Sequence, residues 1–283
     1  MKCDLHVHTV HSGMCTVPVF TRICRESYND PDEVYATLKR RGMDLVTVTD
    51  HDSIDSSERL RRHPDFFLSE EATCHTSRGT EIHVGIYDIQ ERDHIEIQRR
   101  RDDFAALFAY LNERELLFSI NHAFSGLTGS RVEADFDDFA EYFPAVEVLN
   151  GQILPAGNGH AEAFAARHRK IGLAGSDSHT LGGLGRTYTQ VQGARDGREF
   201  VDGLKRGRTA AFGESGSYPK LVRAVLEISC AMMGERRWTM ALAPLMSGVP
   251  LVVLAIVARE MAFANHWGRH TSKLANAVPA LSR

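Results

Sequence analysis

Over residues 1–215, the sequence alternates short apolar runs with helix-like stretches. Apolar runs of about four to eight residues bounded by turn residues are typical of buried strands. Strands that alternate with helices are usually joined by crossovers, which favours an α/β fold with a parallel sheet. The seven runs are Cys3–Val7, Asp44–Thr49, Phe66–Ser69, Glu81–Tyr87, Leu116–Ile120, Ala145–Leu149 and Ile171–Ala174.

Helical patterns lie between several of these runs. The clearest predicts a helix over Pro31–Arg41, where Asp30 is a good N-cap residue, proline suits the first position and Gly42 ends the pattern. Apolar residues at helical spacing predict a second helix over Ile95–Glu113, and a third is predicted over His160–His168. The predicted strands and the predicted helices therefore both indicate an alternating α/β arrangement.

Residues that can bind metal ions recur where the apolar runs end. Parallel α/β folds place their chemistry at the C-terminal ends of the strands, because the following loops converge there. We therefore expect these side chains to lie close together. They are His6 and His8 in the first run, Asp50, His51 and Asp52 after the second, Glu70 and Glu71 after the third, His83 within the fourth, Asn121 and His122 after the fifth, and Asp177 and His179 after the seventh.

The His6-Val7-His8 pair illustrates the chemistry that this pattern favours. The two histidines are two residues apart on a predicted strand, so their side chains point to the same face. Two imidazoles on one face can chelate a divalent ion, although such a pair alone is more often structural. Glu71 and Asp177 add carboxylates suited to bridging ions, and this mixture of ligands fits Mn²⁺, Zn²⁺ or Fe²⁺.

The combined motifs resemble those of the PHP (polymerase and histidinol phosphatase) superfamily. The resemblance spans roughly residues 1–190 and implies a distorted (βα)7 barrel of the TIM type that binds two or three divalent ions. The motifs that carry it are Asp4–Thr9, Thr49–Asp52, Glu71, Glu81–His83, Asn121–His122 and Gly175–His179.

The resemblance also implies which residues hold each ion. A first ion would be held by four side chains, a second would share one of their carboxylates, and a third would use two further histidines. These sets are His6, His8, Glu71 and Asp177 for the first ion, Glu71 with His83 and His122 for the second, and His51 with His179 for the third.

The sequence departs from the family pattern at the third ion. The family's small phosphoesterases usually add an aspartate in a Ser-Asp-Gly stretch shortly after the histidine pair, but here the stretch reads His11-Ser12-Gly13. His11 is a candidate substitute ligand. A long insertion, Met14–Asn29, follows and is expected to form a loop near the site. Occupancy of the third position therefore stays open.

The resemblance implies a metal-dependent phosphoesterase that hydrolyses a P–O bond of a small phosphorylated molecule or a nucleotide through a metal-activated water. Asp50 and Asp52 are predicted to orient ligand histidines, while Arg131 and Arg186 are candidate phosphate contacts. Two alternatives stay open. One is a non-catalytic regulatory or scaffold protein, which the missing aspartate favours, and the other is a metallohydrolase that cleaves a C–N bond.

Composition limits the partners and the compartment. The net charge is −4, which argues against an extended nucleic-acid-binding surface. The five cysteines are scattered without CxxC spacing, so a reducing compartment fits best. The N-terminal residues contain no apolar signal region. These features predict a cytoplasmic protein, and the resemblance implies that its partner is a small phosphorylated substrate or a nucleotide.

The C-terminal part, residues 216–283, is predicted to be a helical segment outside the 1–215 barrel. It contains an uncharged apolar stretch, residues 238–258, that is long enough to cross a membrane as a helix. Trp238 and the flanking arginines suit a membrane interface, whereas Pro244 and Pro250 would kink a helix. We favour an anchor on the cytoplasmic face of the membrane. The alternative is a helix or hairpin packed on the barrel or on another subunit.

Overall fold

The structure, a computed structural model, describes residues 1–17 and 20–277. Residues 18–19 of the predicted insertion and residues 278–283 of the predicted C-terminal segment lie outside the described residues. Strands and α-helices alternate through most of the described chain. The strands are β1 (Lys2–Cys3), β2 (Ser69–His75), β3 (Glu81–Tyr87), β4 (Leu117–Ile120), β5 (Ala145–Asn150), β6 (Ile171–Gly175), β7 (Thr187–Val191) and β8 (Thr209–Gly213).

The α-helices surround the strands, and the longest ones lie at the C-terminal end. Short 3-10 helices cover Val10–Ser12 and Arg237–Gly248. The α-helices are α1 (Pro31–Arg40), α2 (Ser57–Leu60), α3 (Glu91–Arg100), α4 (Phe104–Glu113), α5 (Glu133–Tyr142), α6 (Pro155–His168), α7 (Gly197–Lys205), α8 (Tyr218–Glu235) and α9 (Val249–Ala277).

The strands form two sheets, with the orders β1-β7-β8 and β2-β3-β4-β5-β6. The expectation of an α/β fold is confirmed, but the sheets do not close into a continuous barrel. The predicted parallel sheet is wrong in part: among the strands of the described residues, β4, β5 and β6 pair in parallel, and the other strand pairs are antiparallel. Strands β2 and β3 pair antiparallel because only residues 76–80 separate them, too few for a crossover.

The second apolar run, Asp44–Thr49, is extended but is not a regular strand. It lies between the first and third runs, held by single contacts such as the Val46–Phe66 bridge and the hydrogen bond from Thr49 N to Val7 O (2.8 Å). A similar bridge joins His51 to Glu71. These isolated bridges connect the two sheets without a full ladder of hydrogen bonds, which is why the ring of strands stays irregular.

Helix boundaries differ from the expectation at a few points. Helix α1 matches the prediction closely, and the Asp30 side chain accepts hydrogen bonds from two backbone amides of its first turn. The single helix predicted over Ile95–Glu113 is wrong: α3 and α4 are separate, because Asp103 caps a new helix by accepting a hydrogen bond from Ala106 N. Strands β7 and β8 were not predicted.

The main core lies between the five-stranded sheet and helices α3 to α6. Large aromatic side chains fill it, among them Phe108, Phe118 and Phe139, which are almost fully buried. A smaller cluster, which includes Leu5, Leu173 and Phe200, supports the three-stranded sheet. The two cores hold the strand ends that carry the polar residues in fixed positions.

The apolar stretch 238–258 is divided rather than a single kinked helix. The 3-10 helix ends at Gly248 and α9 begins at Val249, so Pro250 lies in the first turn of α9, where proline is tolerated. The helical segment Arg237–Arg269 is long and apolar enough to span a membrane, and little of its most apolar part is buried. Further along, α9 packs against α6 and α8, and Glu260 accepts hydrogen bonds from Ser125 and Gly126.

Candidate metal centre

Glu71 lies at the middle of the centre, and its position follows from strand geometry. Successive side chains of β2 point to opposite faces. Glu70 therefore points to the outer face, where it bonds to His94 (2.8 Å) and Gln98 (3.0 Å). Glu71 points inward and is almost completely buried. Asn121 Nδ2 donates a hydrogen bond to Glu71 Oε1 (2.8 Å), which fixes the orientation of the carboxylate.

His6 contacts Glu71 from the end of the first run. Its Nε2 lies 3.0 Å from Glu71 Oε2 and 3.5 Å from Asp177 Oδ1. Its Nδ1 lies 2.7 Å from Glu147 Oε1 and donates to it, so Nε2 is the nitrogen that faces the two carboxylates. Gly175 lies directly against His6, and a Cβ at Gly175 would collide with the Cβ of His6. Glycine is therefore required for this close approach.

His8 is oriented by a short relay. Ser12 Oγ donates a hydrogen bond to Asp50 Oδ1 (2.7 Å). The same Oγ lies 3.0 Å from His8 Nδ1 and can accept a hydrogen bond from it. The proton on Nδ1 then leaves Nε2 free, 3.3 Å from Asp177 Oδ1 and 3.4 Å from Glu71 Oε2. His8 thus presents its unprotonated nitrogen to the same two carboxylates as His6.

The other oxygen of Glu71 faces a second pair of histidines. Glu71 Oε1 lies 3.3 Å from His122 Nε2 and 3.6 Å from His83 Nδ1. His122 and Asp177 have positive φ angles of 32° and 50°, a strained backbone conformation for residues other than glycine. Such strain costs about 1–3 kcal/mol and is concentrated at functional sites.

His51 and His179 lie at the outer edge of the cluster. His51 Nδ1 is 3.4 Å from Glu71 Oε2, and the ring stacks on His8 with centroids 4.7 Å apart. The ring of His179 also stacks on His8, with centroids 4.2 Å apart. His179 Nδ1 donates to the main-chain oxygen of Asp177 (3.0 Å), so Nε2 is the ring nitrogen left for a ligand.

The residues present fit divalent ions. Several distances between their ring nitrogens and the carboxylates are 3.3–3.6 Å, close to the roughly 3.4 Å between two ligand atoms about 2.1 Å from one tetrahedral ion. Buried ring nitrogens without a hydrogen-bond partner are rare unless another group satisfies them. Five are found here: His8 Nε2, His51 Nδ1, His83 Nδ1, His122 Nδ1 and His179 Nε2.

The potential ligands form four overlapping groups in which the donor atoms lie within 4.8 Å of one another. Because several side chains belong to more than one group, the arrangement fits more than one ion. The groups are His6, His8 and Asp177; His6, Glu71 and His122; His51, Glu71 and His83; and His8, His51 and His179.

The side chains of the cluster shift one another's pKa values in different directions. Burial raises the pKa of Glu71, but the charges of the surrounding histidines, His6 foremost, hold it well below its usual range. Burial lowers the pKa of His6, but its carboxylate neighbours outweigh this and raise it well above the usual value. Burial and the charge of His179 lower the pKa of His8 to about 4, so its ring is neutral near pH 7, as a metal ligand must be.

Comparison with known proteins identifies the fold. Residues 155–209 match the family model described as PHP-associated. The structure superposes on a two-domain protein from Bacteroides vulgatus described as containing a predicted PHP-like metal-dependent phosphoesterase, with a TM-score of 0.57, 18% identity and coverage of 81% of this chain and 70% of that one. The chain has a PHP-like fold and carries a PHP-associated segment.

Two further proteins are similar to this chain, one in structure and one in sequence. PsfC from Pseudomonas syringae also superposes with a TM-score of 0.57, at 16% identity, over 82% of this chain and 98% of that chain. An uncharacterized protein of Methanocaldococcus jannaschii is 29% identical over 83 residues. That match covers 29% of this chain and 44% of the relative. The resemblance inferred from the sequence is thus confirmed at the level of the fold.

Within this PHP-like fold, the eight side chains predicted as metal ligands all lie in one cluster. Two supporting residues, Glu147 and Asn150, were missed. Glu147 bonds to the His6 ring and also accepts from His122 N (3.0 Å), and Asn150 Nδ2 donates to Glu147 (2.9 Å) and to Asp177 (3.0 Å). A charged residue inside the apolar run Ala145–Leu149 was the signal that could have identified Glu147.

The two aspartates predicted to orient histidines differ from each other. Asp50 acts on His8 through Ser12 and also accepts two hydrogen bonds from Thr9. Asp52 instead accepts from Thr73 N (2.9 Å) and pairs with Arg101 (2.6 Å). Its described contacts therefore lead away from the histidines, and an orienting role for Asp52 stays a prediction.

The two arginines predicted to contact phosphate lie outside the four groups. Arg131 is almost fully buried and donates to Glu81 O (2.9 Å) and to Thr128, contacts that fasten its loop to β3. Arg186 is half-exposed and bonds to Gly182 O (2.9 Å) and Glu214 (3.0 Å). A phosphate contact stays a prediction for both, and the exposure of Arg186 favours it over Arg131.

Proposed function

We propose that the protein is a metal-dependent phosphoesterase that hydrolyses a P–O bond of a small phosphorylated molecule or a nucleotide. One observation carries the proposal: the two oxygens of Glu71 face two different sets of histidine nitrogens. Oε2 faces His6, His8 and His51, and Oε1 faces the two others, His83 and His122. A carboxylate shared in this way suits a two-metal hydrolytic site.

The residues of the chain have distinct parts in this proposal. His6, His8, Glu71 and Asp177 would hold one ion, and His83 and His122 would hold a second with Glu71. Divalent ions bound there lower the pKa of water and neutralise charge on phosphoryl oxygens, and we propose Mn²⁺, Zn²⁺ or Fe²⁺ from the mixed ligands.

Fixed hydrogen bonds keep the ligand side chains in position before substrate binds. Glu147 and the Ser12–Asp50 relay hold the rings of His6 and His8 in single tautomers, so little reorganisation is needed when metal or substrate binds. Arg186 is the proposed contact for the substrate phosphate. Close to it, the Nζ of Lys220 is buried and has no hydrogen-bond partner among the described residues, so it is a second candidate cation for that phosphate.

A panel of phosphomonoesters and phosphodiesters tests the proposal, with Mn²⁺, Zn²⁺ or Fe²⁺ added to metal-free protein. We expect phosphate release or diester cleavage that is lost in His8→Ala and Asp177→Ala. Binding of two ions without cleavage of any phosphoester would contradict it, and would favour a scaffold role or cleavage of a C–N bond. Failure to bind any ion would contradict the metal centre itself.

We further propose that the apolar segment 238–258 binds the cytoplasmic face of a lipid bilayer. Its support is the exposed apolar surface formed by Trp238, Leu245 and Leu251, each of which is more than 60% exposed. An unpartnered apolar patch of this kind commonly marks an interaction surface, and the flanking arginines suit an anionic surface.

Flotation with vesicles of phosphatidylcholine and phosphatidylglycerol tests the membrane proposal. We expect the protein to float with the vesicles, and Leu251→Asp to weaken this binding at least tenfold. Ile95→Asp is a matched control, because Ile95 is also an exposed aliphatic residue (50%) but lies on α3, which packs against α4 and β2. Concentration-dependent dimers without vesicle binding would contradict the proposal and assign the surface to a second copy.

A further inference from the structure

The third metal position lacks the carboxylate that the family pattern places beside Gly13, although His51 and His179 are both present. Three histidines, His8, His51 and His179, form the group at this position. A divalent ion held only by neutral nitrogens leaves two positive charges uncompensated in a half-buried site. A nearby carboxylate would make such a position far more favourable. The sequence stretch His11-Ser12-Gly13 provides none.

The Met14–Asn29 insertion folds back onto this stretch. Its two ends pair in an antiparallel bridge between Met14 and Arg25, and Cys15 N donates to Cys24 O (3.0 Å). Directly after this bridge, Glu26 N donates to Gly13 O (3.1 Å). The hairpin therefore brings Glu26 beside the position where the family's aspartate is missing.

The residues that follow Glu26 are fastened to the two histidine-bearing loops. Ser27 Oγ lies 3.2 Å from the main-chain oxygens of both His8 and His179, and Asn29 Nδ2 donates to His8 O (3.0 Å). Ser27 is fully buried and Asn29 nearly so. These contacts fix the backbone at Glu26 relative to the metal centre, and its side chain points toward that centre.

The Glu26 carboxylate spans the open side between the two outer histidines. Its Oε2 lies 3.6 Å from His51 Nε2, and its Oε1 lies 3.8 Å from His179 Nε2. Within residues 1–17 and 20–277, no hydrogen bond to this carboxylate is found, although the side chain is only 24% exposed. His179 Nε2 is buried and likewise has no hydrogen-bond partner in the described part of the chain. Both groups thus lack the partner that a cation would supply.

We propose that Glu26 is the carboxylate ligand of a third divalent ion, held together with His51 and His179. The insertion thereby replaces the missing aspartate with a glutamate from a different part of the chain. This inference rests on the proposed function, since a third ion presupposes the two inner ones. His11, the substitute that the sequence suggested, belongs to none of the four ligand groups found among the described residues.

Metal stoichiometry tests the assignment without reference to activity. The full-length chain is stripped of metal, reloaded with Mn²⁺, freed of excess ion by gel filtration and measured by inductively coupled plasma mass spectrometry. We expect three ions per wild-type chain and two for Glu26→Gln, with the affinity of the third step weakened about 10- to 100-fold or more. Glu26→Asp keeps a carboxylate and is expected to recover the third ion at higher Mn²⁺.

Arg25→Gln is the matched control. Arg25 adjoins Glu26 and pairs with Glu235 of α8 (2.8 Å), so its substitution perturbs the insertion but leaves the carboxylate in place. We expect this variant to bind three ions. Circular dichroism establishes that each variant is folded before its metal content is compared.

Other outcomes would overturn the inference in distinguishable ways. Three ions bound to Glu26→Gln as tightly as to wild type, or no more than two bound to wild type at any Mn²⁺ concentration, would exclude Glu26 as a ligand. No bound ion in wild type would instead overturn the proposed function. If Glu26→Gln does not fold, anomalous scattering from Mn²⁺-soaked wild-type crystals decides: a peak about 2.2 Å from the Glu26 carboxylate supports the inference, and peaks beside Glu71 alone exclude it.

Discussion

The inner side and the outer rim of the metal centre are built differently. On the inner side, the side chains of Glu71 and His6 are 1% exposed. Asn121 hydrogen-bonds to Glu71, and Glu147 hydrogen-bonds to His6. On the rim, the side chains of His51, His179 and Glu26 are 13%, 20% and 24% exposed. The distances from the Glu26 carboxylate to the ring nitrogens of His51 and His179 are 3.6 and 3.8 Å. They are longer than the 3.0 Å between His6 Nε2 and Glu71 Oε2.

This difference indicates that the two inner positions are organised before metal binds, whereas the rim depends on a loop. A buried polar network in which each member is satisfied is rigid, and removing one member leaves others unpaired. The Glu26 carboxylate is partly exposed and lies on an inserted hairpin, so its substitution is expected to cost less free energy of folding. Substitutions on the inner side are therefore expected to have the largest effects.

The largest effect is expected for Glu71→Gln. Amide substitution removes the charge shared by two sets of histidines, so we expect kcat/KM to fall by about 10²- to 10³-fold or more, with loss of both inner ions. Glu70→Gln is the control, since Glu70 is equally buried but bonds to His94 and Gln98 on the opposite face of β2. Metal content per folded chain and phosphoester hydrolysis are measured for both. Equal loss of metal from the two variants would show that the effect is one of folding rather than of ligation.

A smaller effect is expected for Glu147→Gln. Glu147 touches no carboxylate of the centre but holds the His6 ring through its Nδ1 (2.7 Å). Loss of such a supporting contact typically costs 10- to 100-fold in metal affinity or activity, so we expect a change of about that size. Isothermal titration with Mn²⁺ measures the affinity, and Glu162→Gln, at an exposed position of α6, serves as the control. An unchanged affinity would mean that packing alone orients His6.

The inner side was largely predictable from the sequence, for a physical reason. Ligand residues at strand ends and within strands are positioned by the two-residue period of the backbone, which can be read locally. Glu71 and Glu70 illustrate this, because their opposite faces follow from their adjacency alone. The same local reasoning located His6 and His8 on one face.

On the rim, His51 and His179 were predicted from the sequence, but Glu26 was not, because its position depends on pairing between distant segments. Glu26 reaches the site only after Met14 pairs with Arg25 and Ser27 bonds to the loops of His8 and His179. No spacing within the sequence encodes these contacts. The fold shows the same limit, since the irregular stretch at residues 44–51 is also held by contacts between separate segments.

The smallest effect in this series is expected for Ser12→Ala. Removing the hydroxyl leaves His8 Nδ1 without its acceptor, while Asp50 keeps both hydrogen bonds from Thr9. The loss of one hydrogen bond is worth about 1 kcal/mol, so we expect metal affinity to fall roughly fivefold. Nitrogen-15 NMR of the His8 ring provides a second measurement, because the relay predicts a single tautomer with the proton on Nδ1 in wild type and a mixture of tautomers in the variant.

The loss of metal affinity in Ser12→Ala tests whether the inner side of the metal centre and its rim behave independently. Ser12 lies beside Gly13, at the junction of the inner side and the inserted hairpin, yet it acts only through the His8 ring. A loss as large as that of Glu71→Gln would mean that the hairpin and the inner ligands move as one unit. The rim could then not vary independently of the inner ions. A fivefold loss with two ions retained would instead show that the inner side tolerates changes at this junction, which is the condition for an insertion to supply a ligand of its own.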